Sequence, residues 1–229
     1  MSASLPRHAL VTGASSGIGA AIVARLLAQG WRVTGVARRP THWPSPDYRG
    51  VAADLAHADG VATTLAAAQD VTALVHAAGF LETGALGALD ATAGEAMWRL
   101  HVAAAEQLAN GVAPQLVAGG RIVLIGSRTA TGSPGRSQYA ATKAALVAMA
   151  RSWALELAPR GITVNVVAPA ATDTAMLTDP ARAGVAPRVP PIGRYIRPEE
   201  VAAAVGFLLS EEAAAITGQT LTLCGGASL

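Results

Sequence analysis

The sequence predicts a single α/β domain built on a doubly wound, seven-stranded parallel sheet with helices on both faces. Three observations carry that expectation. Short apolar runs of β type alternate with Ala-rich stretches of helical type from one end of the chain to the other, the order that a sheet wrapped by crossover helices requires. At 229 residues the chain is long enough for one sizeable core and short for two, so one domain over residues 1–229 is expected. A composition of 52% hydrophobic and 14% charged residues excludes a disordered chain and suits helices packed closely on a sheet.

The expected strands are His8–Thr12, Arg32–Val36, Tyr48–Ala53, Ala73–His76, Arg121–Ile125, Thr163–Ala168 and Thr220–Leu223, each apolar and mostly bounded by Gly, Pro, Asp or Ser. Helices are expected at Gly17–Ala28, Gly60–Ala68, Glu95–Val117, Gln138–Ala158 and Pro198–Leu209. Pro198 stands where a first helical turn tolerates a missing N–H. Two regions read as loops: the Pro-rich Arg39–Pro46, and Met176–Ile196, which follows a late strand where ligand-covering loops of such sheets lie.

Charge and composition narrow the function. A net charge of +2 with no dense Lys/Arg run argues against nucleic acid and anionic membranes as partners. The lone Cys224 excludes an intrachain disulfide and a multi-cysteine zinc site, and no metal site is expected. The start of the chain lacks a signal-type apolar stretch, and no unbroken run of eighteen apolar residues occurs, so a cytoplasmic protein is expected.

The first strand runs into Thr12-Gly13-Ala14-Ser15-Ser16-Gly17-Ile18-Gly19 and then into a helix. Glycines allow a tight turn and close backbone approach, and the N–H groups and dipole at the helix start attract a pyrophosphate. The second strand ends Val36-Ala37-Arg38-Arg39, with no acid where a protein binding NAD places one for the ribose hydroxyls. Arg38, with Arg39 beside it, is suited to a 2′-phosphate through a charge-assisted contact; the alternative is a pair of solvated loop charges. NADP(H) is therefore the preferred cofactor and NAD(H) the alternative.

Tyr139 and Lys143 stand four apart on an expected helix and so project from one face. The lysine charge favours a tyrosinate, which equips Tyr139 to exchange a proton with a substrate oxygen. Ser127 follows the fifth strand twelve residues earlier, at the sheet's carboxyl end, where its hydroxyl has access to the same oxygen. Each feature alone is commonplace; in this order and spacing, together with the glycine turn, they point to one site.

T-G-x-x-x-G-x-G, Ser127 and Tyr139-x-x-x-Lys143 together resemble the short-chain dehydrogenase/reductase family, a branch of Rossmann-type enzymes, over essentially the whole chain. The resemblance implies that Ser127 polarises a carbonyl, Tyr139 transfers the proton, and Lys143 lowers the tyrosine pKa and holds the nicotinamide ribose. It also matches Asp54, followed by Leu55, to the acid beside the adenine. Ala77-Ala78-Gly79 matches the tail of an N-A-A-G segment, and Pro169 through Thr172 to Thr174 matches P-G-x-x-x-T beneath the nicotinamide. A tetramer or dimer is implied, and small residues on Glu95–Val117 and Gln138–Ala158 would allow close packing between subunits.

Departures from the family pattern are His76 for the first asparagine, His101 for the asparagine of a proton relay, Ala170 for a glycine and Cys224 for a terminal acid. His76 reads as a buried strand contact. His101 reads first as structural, the relay using a backbone carbonyl that any residue supplies, and second as a catalytic proton carrier or substrate contact. Cys224 reads as buried beside a tight turn.

The reading is an oxidoreductase moving a hydride between NADP(H) and a carbonyl or secondary alcohol. The alternatives are an NAD(H)-dependent alcohol or dihydrodiol dehydrogenase and, from another class, a non-catalytic nucleotide-sensing scaffold. Candidate substrates are a 3-oxoacyl thioester, a cyclic ketone, a sugar-derived polyol and a dihydrodiol; no residue chooses among them.

Overall fold

A computed structural model describes residues 7–178 and 188–229. Seven strands among them, β1 (His8–Thr12), β2 (Arg32–Ala37), β3 (Tyr48–Ala52), β4 (Ala73–His76), β5 (Arg121–Ile125), β6 (Thr163–Pro169) and β7 (Thr220–Leu223), form one sheet in the order β3-β2-β1-β4-β5-β6-β7. Every neighbouring pair is parallel. Strands β1, β4, β5 and β6 are buried along their whole length, which is why they read as continuous apolar runs rather than alternating ones. At the two edges β3 and β7 are largely exposed.

The pleat sends alternate residues to two cores. Leu10, Leu74, Ile122, Leu124, Val164 and Val166 pack with Leu108, Val112, Leu146 and Ala150 on one face. Ala9, Val11, Val75, Val123 and Val167 pack with Ile22, Val23, Leu26, Val201 and Val205 on the other. The helices among the described residues are α1 (Gly17–Ala28), α2 (Ala58–Ala67), α3 (Ala91–Trp98), α4 (Ala104–Val112), α5 (Ser137–Leu157) and α6 (Pro198–Leu208), and those partners come from α4 and α5 on the first face and α1 and α6 on the second. Helices α2, α4 and α5 cover the first face; α1 and α6 cover the second.

The expected helix Glu95–Val117 is instead three pieces. It begins four residues early at Ala91, where the Asp90 carboxylate caps the N–H groups of Thr92 (2.8 Å) and Ala93 (3.1 Å). A π-helical turn, Arg99–Ala103, then separates α3 from α4, which stops at Val112. Helix α2 also begins earlier than expected, at Ala58. Gly60 lets its first turn lie on the chain after β3, since a Cβ there would meet the Asp54 carbonyl oxygen at 1.9 Å. Arg39–Pro46 is irregular, with Trp43 packed edge-on to Tyr48 at 6.3 Å. Of Met176–Ile196, residues 179–187 lie outside the described part. Its end returns to the sheet edge, where Ile196 bridges Thr172.

No helix among the described residues is long and apolar enough to cross a membrane. Strand order reverses between β1 and β4, one chain path running outward through β2 and β3 and the other through β5, β6 and β7. The carboxyl ends of those strands therefore diverge around a crevice, and the loops that follow them form its walls.

Candidate active site

A cavity of about 1150 Å³ occupies that crevice. Its first wall is the turn from β1 into α1. Gly13 and Gly17 have left-handed backbone (φ 68° and 52°). A Cβ on Gly13 would lie 2.9 Å from the Ala77 carbonyl, and one on Gly19 only 2.0 Å from the Gly13 oxygen, so side chains are excluded where backbone must close on backbone. No side chain caps α1, and Ser15, Ser16, Gly17, Ile18 and Gly19 all line the cavity, leaving the helix start turned towards it. The bare glycine cradle and the exposed helix start fit a dinucleotide's pyrophosphate.

Arg38 lines the same cavity beyond β2; Arg39 is exposed and is not part of its wall. Asp54 and Leu55 line it after β3, with Asp54 Oδ1 accepting the Ala56 N–H at 3.0 Å. Ala77, Ala78 and Gly79 line it after β4. They are fastened to β1 by the Thr12 hydroxyl, which accepts the N–H groups of Ala77 and Ala78 (3.1 Å each). Pro169, Thr172 and Thr174 line it beyond β6, and the Thr174 methyl is the nearest atom to a Cβ built on Gly17.

Ser127, Tyr139 and Lys143 meet on the remaining wall. Ser127 leaves β5 in extended backbone and caps a short 3-10 turn, its Oγ accepting the Thr129 N–H (3.2 Å) and bonding the Thr129 hydroxyl (2.8 Å). Tyr139 lies in the first turn of α5. Lys143, one turn on, is buried, its Nζ 5.6 Å from the Tyr139 ring centre and donating to the Ile125 carbonyl at 2.9 Å. Burial lowers the ammonium pKa to about 8, leaving it mostly charged near neutrality.

The two histidines stand behind this wall rather than on it. His101, in the π turn, is fully buried and is not among the cavity-lining residues, which removes it from direct contact with a bound substrate. Its Nε2 accepts the Phe80 N–H (3.1 Å), so the proton sits on Nδ1, which donates to the Thr142 hydroxyl (2.9 Å). Thr142 in turn donates to the Tyr139 carbonyl (2.8 Å), and the His101 ring meets the Tyr139 ring edge-on at 5.7 Å. Burial, the Lys143 charge and His76 hold its pKa well below the usual histidine value. The ring is neutral and bonded at both nitrogens, so it has no free nitrogen with which to take up a proton near neutrality, and through Thr142 it is linked to the backbone at Tyr139.

His76 is likewise buried and neutral, its pKa lowered to about 3 by burial first and Lys143 second. Nδ1 accepts from the Thr12 hydroxyl (3.0 Å) and Nε2 donates to the Leu100 carbonyl in the π turn (3.1 Å). Thus His76 ties the glycine turn to the π turn, and His101 ties the π turn to α5. Cys224, expected to be buried, is partly exposed in the final turn, where hydrogen bonding to Ser228 lowers its pKa. The last strand ends at a sheet edge, which leaves that turn uncovered.

Sequence reasoning missed Thr12, Phe80, Thr129 and Thr142 as supports of the site, because their partners are distant in the chain or ordinary neighbours. It also passed over a usable signal: among 17 lysines and arginines, Lys143 is the sole lysine. Arginine serves every other basic position, and the exception is the one that must be buried as a compact cation.

The chain matches a family model described as enoyl-(acyl carrier protein) reductase over residues 13–228. It is 38% identical over 234 residues to the 3-oxoacyl-(acyl-carrier-protein) reductase FabG of Salmonella typhimurium, covering 95% of this chain and 96% of that protein. Among solved structures, a short chain dehydrogenase family protein from Francisella tularensis superposes with a TM-score of 0.89 at 27% identity, over 96% of this chain and 98% of the other. A short chain dehydrogenase from Burkholderia cenocepacia in complex with NADP gives 0.84 at 34% identity, over 98% of both chains.

Proposed function

The chain belongs to the short-chain dehydrogenase/reductase family of oxidoreductases, and from that premise we propose that it reduces a carbonyl compound with NADPH, or oxidises the corresponding alcohol in reverse. The observation that carries the reading is that Ser127, Tyr139 and Lys143 share one cavity wall with the bare glycine turn. NADPH, when bound, supplies the hydride. The residues to hold it are the Gly13–Gly19 turn for the pyrophosphate, Arg38 for the 2′-phosphate, Asp54 and Leu55 for the adenine, and Ala77, Ala78, Gly79, Pro169, Thr172 and Thr174 on the nicotinamide side. Arg39, off the cavity wall, contributes charge at most through solvent.

The protein's own part is to manage charge on the substrate oxygen. Ser127 donates a hydrogen bond to it, and Tyr139 delivers the proton as negative charge develops. Lys143, a cation beside the Tyr139 ring, stabilises the phenolate left behind and would hold the cofactor ribose. His101 keeps Tyr139 in place through Thr142. Since the FabG relative is a 3-oxoacyl reductase, a 3-oxoacyl thioester leads the candidate substrates. The setting we propose is the cytoplasm, and the form a homodimer or homotetramer.

Titrating the purified protein with NADPH and with NADH at one moderate salt concentration tests the cofactor assignment. The expected result is tighter binding of NADPH by about tenfold or more, lost in Arg38→Asp, which should favour NADH. An unchanged preference would mean that the 2′-phosphate is bound elsewhere, and binding of neither nucleotide would favour the non-catalytic scaffold.

A further inference from the structure

We infer that the glycine turn after β7, residues 224–228, seats the substrate-side wall of the cavity, and that Gly225 and Gly226 are positioning residues that set the width of the substrate space, a role that rests on the reductase reading for what that space holds.

After β6 the chain leaves the crevice, and residues 188–196 return to it. Arg188, Val189, Pro190 and Pro191 of the returning segment line the cavity, as does Ala227 of the turn. Arg38 and Asp54 line the cavity beyond β2 and β3, at the opposite end of the strand order. The returning segment therefore closes the crevice on the side that follows β5, where Ser127 leaves the sheet. Pro190 is buried although Val189, Pro191 and Ile192 around it are exposed, so it is the residue wedged between wall and turn.

The fit is side chain on bare backbone. Gly225 and Gly226 both have left-handed backbone (φ 55° and 86°). A Cβ on Gly225 would lie 2.7 Å from Ile192 Cγ1 and 3.1 Å from Pro190 Cβ, and one on Gly226 would lie 3.2 Å from Pro191 Cβ. Three consecutive residues of the wall thus rest where the turn carries no side chains. Hydrogen bonds hold the same register: the Ile192 N–H donates to the Gly225 carbonyl (3.1 Å) and the Gly193 N–H to the Pro190 carbonyl (2.9 Å). The far end of the segment is tied to the loop after β6, with the Ile196 N–H on the Ala171 carbonyl (3.0 Å) and the Asp173 N–H on the Ile196 carbonyl (2.8 Å). That loop is tied to β7 in turn, through the Ala170 N–H and the Leu223 carbonyl (2.9 Å). Held at both ends, and stiffened by two prolines of fixed φ, the wall answers a push from the turn by shifting as a piece.

Gly225→Ala and Gly226→Ala are compared with Gly30→Ala, a glycine of the same left-handed backbone (φ 76°) with no atom within 4 Å of its Cβ position. Gly30→Ala carries backbone strain without displacing the wall. The probes are ethyl 3-oxobutanoate and ethyl 3-oxohexanoate, reduced with NADPH under steady-state conditions. The expected result is a KM for the longer ester raised about fivefold or more in both turn variants, with kcat and NADPH affinity moved by less than about twofold, and an unchanged KM in Gly30→Ala. Adding Ile192→Ala to Gly225→Ala removes the nearest colliding atoms and should recover part of the KM. Amide hydrogen exchange in residues 188–196, followed by mass spectrometry without substrate, should quicken in the two turn variants alone. An unchanged KM in both turn variants, an unchanged exchange rate in them, or an equal effect from Gly30→Ala would overturn the inference. Exchange that quickens as expected in a protein that reduces neither ester would support the seat and count against the reductase reading.

Discussion

At the scale of single residues, the site is defined by what each side chain is prevented from doing. Lys143 is prevented from leaving the interior: its Nζ is held by the Ile125 carbonyl, and burial brings its pKa to about 8. Tyr139, beside it, carries a phenol on the cavity wall that Ser127 and Lys143 share. Tyr139→Phe removes the proton donor without altering the glycine turn or Arg38. Turnover should fall by about 10²–10⁴-fold, with NADPH affinity within about twofold of the unaltered protein. Steady-state kinetics alongside a cofactor titration check this, and undiminished turnover would remove Tyr139 from the proposed role. Ser127, Tyr139 and Lys143 were legible because their spacing is short-range and repeats a family pattern. Arg39 illustrates the opposite case: beside Arg38 in the chain it shared the same expectation as the second member, yet it is exposed and does not line the cavity that Arg38 lines.

At the scale of elements, the π turn between α3 and α4 is the feature that sequence periodicity did not reveal. Arg99–Ala103 has no Gly or Pro to mark it, and the apolar spacing across it continues as in an ordinary helix. The turn is instead held by distant partners: the Leu100 backbone carbonyl by His76 on β4, and the His101 ring by Phe80 beyond β4 and Thr142 on α5. A widened turn at such a position commonly marks a functional site. His101→Ala should strand the Phe80 N–H in the interior, remove the hydrogen bond that the Thr142 hydroxyl accepts, and open a cavity against Tyr139. We expect a loss of about 2–4 kcal/mol in urea unfolding together with a lower kcat at little changed KM, the second being the sign of a displaced Tyr139 rather than of weaker binding. His101→Gln, able to accept from Phe80, should recover part of both. Full activity in His101→Ala would show that the α5 packing alone positions the tyrosine.

At the scale of the whole molecule, two cores are clamped on one sheet and the histidines lie in the buried layer at its carboxyl end. His76 and His101 stay neutral in the folded chain, whereas the unfolded chain protonates them near pH 6.5. The contribution of these histidines should therefore be at its plateau above pH 6.5 and decline as the pH falls from there towards about 3, the folded value for His76, at about 1.4 kcal/mol per pH unit for that histidine, with His101 acting in the same direction. Urea unfolding at pH 7.5 and 5.5 measures the decline, and His76→Asn should make it shallower; an equal free energy at both pH values would mean that the histidines are charged or solvated in the folded state. The sequence by itself determined the α/β class, the seven strands, the glycine turn and the neighbours Ser127, Tyr139 and Lys143, because these follow from local periodicity, backbone freedom and short spacings. Only the tertiary structure decided that a π turn interrupts the long helix and that the two histidines lie buried behind the wall carrying Ser127, Tyr139 and Lys143. Those facts depend on which residues of different strands and helices meet across the sheet, and a burial-dependent property such as histidine neutrality does not exist until that packing excludes water.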